Sequence, residues 1–116
     1  MRDLPAGQGI SYGRTCILDK DTKVATIGAG YGDGYNRRFS GVGAEVLIRG
    51  QRCPVLGRVT MDQIMVDVSA LESCESGDEV ELFGENILVT ELAEKADLIP
   101  WEILTGITPR VTRKYF

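Results

Sequence analysis

Four tyrosines stand in a chain that contains no histidine. Without imidazole, the commonest general base and the commonest metal ligand are missing. Acid–base chemistry therefore falls to Tyr, Lys, Cys or carboxylates, or to groups borrowed from another chain. Three of the tyrosines sit among glycines and arginines: Tyr12 in "SYGR", and Tyr31 and Tyr35 in "GAGYGDGYNRR". A phenol titrates near ~10 and needs cations or a hydrogen-bonded partner before it can serve as a base. The ordinary use of such a residue is to pack its ring and give its hydroxyl one partner. Residue types alone leave both uses open.

The stretch "GAGYGDGY" sets Gly28, Gly30, Gly32 and Gly34 at every second position. Read as extended chain, one face is bare backbone and the other carries Tyr31, Asp33 and Tyr35. Glycine in such a run marks a bend or a close approach of something to the backbone. A dinucleotide loop is excluded by spacing, because the third glycine would have to fall at Asp33 or Tyr35 and no helix follows. "DKDTK" (19–23) lacks the further ligands of a calcium loop and reads as a solvated turn. Cys16, Cys53 and Cys74 are odd in number and share no C-x-x-C spacing, which fits reduced, apolar filler and predicts no metal site.

These residues must be positioned by a chain of 116 residues, 43% of them hydrophobic, enough for one globular domain. A net charge of −4 gives no footprint for nucleic acid or an anionic membrane surface. No apolar run is long enough to span a bilayer and no signal peptide opens the sequence, so a cytoplasmic location is expected. Extended runs are predicted at 10–18, at 23–29 into the glycines, at 44–50, in "RCPVLG", at 58–69 with Ile64, Val66 and Val68 on one face, at 77–84, and in the closing "PRVTRKYF". Gly50-Gln51 makes a plausible hairpin turn, and Pro54 argues for an edge strand or a bulge. Helical period is confined to "ELAEKADL", capped by Thr90, and "PWEILTG", begun by Pro100. Short strands at regular spacing predict a mainly β fold, a closed or partly open β-barrel, with a short helical insert near 90–106.

Taken together, "GQGISYGRT", "IGAGYGDGYNRRFS", "VLIRGQRCPVLGRVTMDQIMVDVS", "GDEVELFG" and "IPWEILTGITPRVTRKY" resemble the C-terminal domain of PLP-dependent alanine racemases. The segments keep the family's order over nearly the whole chain, so residues 1–116 are expected to be that β-barrel domain. The resemblance implies a homodimer in which an N-terminal (β/α)₈ barrel, absent from this chain, carries the lysine that binds pyridoxal phosphate. The β-domain of the partner subunit then covers that site and brings a second catalytic base. It also implies interconversion of L- and D-alanine for peptidoglycan, by a protein of which this chain alone is inactive. By the same resemblance Tyr12 is the base on the L-side, and Tyr31 lines the inner substrate entrance. Met61 offers its backbone N–H to the substrate carboxylate, with Asp62 beside it, and Arg37 and Arg58 lie farther up the entrance channel. One departure is Pro109, which replaces a tyrosine that contacts the cofactor phosphate in many relatives and cannot make that contact. Two alternatives remain at this stage: the corresponding domain of a membrane-anchored serine/alanine racemase, with serine as substrate, and a non-catalytic barrel used for dimerisation.

Overall fold

A computed structural model describes residues 2–4, 9–10, 16–17, 22–75 and 77–112. Eight strands are found there: β1 (Arg2–Leu4), β2 (Gly9–Ile10), β3 (Cys16–Ile17), β4 (Thr22–Ile27), β5 (Glu45–Ile48), β6 (Gln51–Leu56), β7 (Ile64–Asp67) and β8 (Val80–Glu81). Two helices follow, α1 (Val89–Ala96) and α2 (Pro100–Thr105). Six strands form one antiparallel sheet in the order β1-β4-β7-β6-β5-β8, an open half-barrel, while β2 and β3 pair separately. The mainly β reading and the helical insert are thus both found. The run predicted at 10–18 is not one strand, because Ile10 pairs antiparallel with Cys16.

Alternation decides which face is inside. Val46 and Ile48 of β5, Cys53 of β6, and Ile64 and Val66 of β7 are all buried, with Val68 just beyond. Their neighbours Glu45 and Asp67 are less enclosed, as a period of two requires. The open side of the sheet is closed by Phe39, Ile87, Leu92 and Ile103. On α1 the buried positions are Leu92, Ala93 and Ala96, one helical stripe. Fully burying a side chain such as Leu92 stabilises by roughly 1.5–3 kcal/mol.

Several local expectations move by a residue or more, each for a backbone reason. The β5–β6 hairpin turns at Arg49-Gly50, since Ile48 pairs with Gln51; both turn residues have positive φ (50° and 75°), as a type I′ turn needs. Pro54 sits in β6, which lies between β5 and β7 and is no edge. The amide of Val55 donates to Ala44 across β5, so the Pro54 nitrogen faces the other side, where pairing with β7 begins only at Val55. The missing donor therefore breaks no ladder bond. Helix α1 starts after Leu88, leaving Thr90 inside it, whereas Pro100 opens α2 as expected. The predicted strand at 77–84 is reduced to Val80–Glu81, and Pro109-Arg110 is a turn, not extended chain.

Candidate active site

β4 ends at Ile27, and the glycine stretch beyond it is not a strand. Residues 31–34 form a turn in which the amides of Asp33 and Tyr35 both donate to the Gly30 carbonyl, at 3.0 and 3.1 Å. The Asp33 carboxylate closes the turn by accepting from the Gly30 amide at 3.0 Å. A turn separates the phenols that a strand would have aligned. Tyr35 is buried against Phe39, ring centroids 4.7 Å apart, and its hydroxyl has no hydrogen-bond partner among the described residues. Burial pushes its phenol well above the ordinary value. Tyr31 is 43% exposed, with the Arg37 guanidinium 5.6 Å from its ring centroid.

The alternate glycines admit other parts of the same chain. A Cβ on Gly30 would run into the carbonyls of Thr60 and Met61, and one on Gly34 into Gly106 and Ile107. A Cβ on Gly32 would strike the Arg110 guanidinium. Nothing crowds Gly28. Only backbone without side chains lets these segments meet.

The segment that meets Gly30 was expected to be the first half of a long strand. It is instead a loop, with β7 confined to Ile64–Asp67. Thr60 shapes it: its hydroxyl donates to the Gln63 carbonyl at 2.8 Å and accepts from the Gln63 amide at 3.1 Å. Such a local side-chain bond competes with the ladder and ends the strand. The glycine turn docks on this loop through Tyr31 N–H to Thr60 O and Gly32 N–H to Met61 O, both 2.9 Å. Ser40, just after a short 3-10 helix (Arg37–Phe39), accepts from the Val59 amide at 2.8 Å and fixes the loop's other side.

Between these pieces lies an open groove of about 720 Å³ lined by Tyr31, Arg37, Arg38, Ser40, Arg58, Val59, Thr60 and Met61. Four residues singled out in the sequence, Tyr31, Arg37, Arg58 and Met61, therefore share one groove. Its lining holds three arginines and no carboxylate, a field that draws anions. Tyr12 lies outside the described residues. Arg38, Ser40 and Thr60 were not foreseen, although Arg38 and Ser40 belong to the same "NRRFS" as Arg37. Pro109 is exposed at its turn, and no cluster of three or more metal-ligating side chains occurs among the described residues.

Solved structures that share this half-barrel are alanine racemases. The chain superposes with a TM-score of 0.93 on the biosynthetic alanine racemase of Pseudomonas aeruginosa, at 37% identity, covering 99% of this chain and 32% of that one. The alanine racemase of Bartonella henselae with covalently bound pyridoxal phosphate gives a TM-score of 0.92 at 33% identity, over 99% of this chain and 32% of that one. By sequence, the alanine racemase of Halothermothrix orenii is 48% identical over 99% of this chain, and that of Symbiobacterium thermophilum 52% identical over 97%. Residues 1–115 match the family described as alanine racemase, C-terminal domain, and the chain belongs to that family. It spans 31% and 30% of the length of these two relatives. No helix among the described residues is long and apolar enough to cross a membrane.

Proposed function

We propose that this chain is the C-terminal domain of an alanine racemase that interconverts L- and D-alanine and supplies the D-enantiomer for peptidoglycan. In that reading the enzyme is a homodimer, and this domain lies over the cofactor-bearing barrel of the partner subunit. The observation that carries the proposal is the groove beside Met61. The Met61 amide has no acceptor among the described residues, and Arg37, Arg38 and Arg58 line the same groove. Such a lining attracts a small amino acid by its carboxylate, and an N–H donor orients it. Tyr31, held by its own amide to Thr60, walls the inner end, with its ring stiffened by Arg37.

In this reading pyridoxal phosphate is held by the N-terminal barrel. The groove offers no lysine; Lys95 is engaged with Glu45 and Glu91, and Pro109 has no hydroxyl for a phosphate. Attachment is assigned to the lysine of that barrel, which the family resemblance implies. When bound, the cofactor accepts the electron pair left at the α-carbon, and two bases on opposite faces must handle the proton. Tyr12 is assigned the L-side proton, on the strength of the "SYGRT" motif.

The test is to assay the protein in which this domain occurs beside the purified domain. The whole protein should racemise alanine in both directions, and the domain should fold while binding no cofactor stoichiometrically. Racemisation by the domain alone, or none by the whole protein loaded with pyridoxal phosphate, would overturn the proposal.

A further inference from the structure

We propose that Arg110 is a positioning residue: it clamps the Tyr31 turn to the Met61 loop and screens Asp62 from an incoming carboxylate. The proposal rests on the reading of Met61 and Tyr31 as substrate-facing. Arg110 follows a segment already tied to the glycine turn. The Thr108 hydroxyl donates to the Gly32 carbonyl at 2.7 Å, and the Thr108 amide donates to Asp33 O at 3.2 Å. The guanidinium then passes over Gly32, in the space that a Cβ would fill, and reaches both loops. Its Nη2 donates to Asp62 Oδ1 at 2.7 Å, and its Nε lies 3.4 Å from Asp33 Oδ1. Asp33 in turn holds the Gly30 amide, so one planar fork connects both arms of the site.

The charge matters as much as the geometry. Asp62 is the residue next to Met61, and its side chain is 57% exposed. Left unpaired, its carboxylate would repel a substrate carboxylate approaching the Met61 amide. Arg110 supplies the opposite charge at hydrogen-bond distance, while Arg37, Arg38 and Arg58 remain the groove's own cations. Glycine at 32 leaves room for the guanidinium and for the Met61 carbonyl, whose oxygen would lie 2.9 Å from a Cβ there.

The experiment uses the whole protein with its cofactor. In Arg110→Met, the KM for L-alanine should rise about tenfold, because like-charge juxtaposition acts on binding, while kcat changes much less. Adding Asp62→Asn to that variant should recover most of the KM, which a merely structural role would not allow. Arg110→Lys keeps a charge but cannot bridge two carboxylates, so its KM should fall between. It replaces the Met variant if that one does not fold. Hydrogen exchange should quicken at 30–34 and 60–63 and stay unchanged in β5 and β6. An unchanged KM, a KM that Asp62→Asn does not lower, or unchanged exchange in those two loops would each overturn the proposal. A wild-type protein that racemises nothing, with exchange still quickened in those two loops by Arg110→Met, would instead sink the racemase reading and leave the clamp standing.

Discussion

The Tyr31 amide donates to the Thr60 carbonyl at 2.9 Å, and that bond exists because Gly30, one residue earlier, has no side chain. The two loops of the groove are joined at this point by backbone alone. Position 30 is therefore where the fold and the candidate site depend on the same atom.

Gly30→Ala should consequently destabilise by about 1–3 kcal/mol, since its Cβ meets fixed carbonyls that cannot rotate away. Gly28→Ala is the matched control, because nothing lies within 4 Å of its Cβ and its φ is not positive. A thermal melt of each variant decides the matter. Equal melting temperatures for the two would show that the loops adjust freely and that the close approach carries no weight.

Acid should loosen the packing of α1 through Glu91. Its carboxylate accepts from Arg52 at 2.6 and 3.0 Å and from Lys95 at 3.2 Å, while Arg52 also reaches Glu45 at 3.3 Å. Hydrogen bonding to Arg52 first, then to Lys95, holds the carboxyl down to about 2 from its ordinary 4.5. A depressed folded value means that the stability gained is whole above about 4.5 and is lost as pH falls toward 2. At pH 7 Glu91→Gln should be less stable than wild type by about 1–2 kcal/mol, for a partly exposed charge-assisted pair. The gap should close between pH 4.5 and 2. A gap of constant size across denaturation curves at those pH values would show that Glu91 is not the titrating group.

Much of this was legible in the sequence, and the failures share a cause. Alternation of Val46 and Ile48, and of Ile64, Val66 and Val68, announced the buried face of the half-barrel, because burial enforces a period of two. Pro100 announced α2, because its fixed φ and missing donor suit a first turn. "GAGYGDGY" and "RVTMDQ" read as strands because the one alternates and the other is rich in β-formers. What ends them is local: Asp33 bonds back to Gly30, and Thr60 to Gln63. Side-chain-to-backbone bonds of this kind leave no periodic trace. The partner of Gly32, Arg110, stands 78 residues away, as the numbering shows, and no pattern within either segment points to it. The grouping of Tyr31, Arg37, Arg58 and Met61 came from family motifs, not from composition.

Tyr12→Phe in the whole protein is the sharpest test of the assigned chemistry, and it rests on the "SYGRT" motif because Tyr12 lies outside the described residues. The substitution keeps the ring and deletes one hydroxyl, so the loss of stability should stay within that of a single hydrogen bond, about 0.5–1.5 kcal/mol. Removing a positioned general base costs about 10²–10⁴-fold in rate. Because the equilibrium between enantiomers is fixed, net racemisation must slow in both directions alike. Exchange of the α-hydrogen with solvent should divide differently: exchange starting from L-alanine should collapse, whereas exchange from D-alanine, handled by the other base, should persist better. Deuterium incorporation into each enantiomer, followed by NMR with the cofactor bound, reads the two arms separately. Equal loss in both, or racemisation near the wild-type rate, would remove Tyr12 from the L-side role and leave it a packing tyrosine.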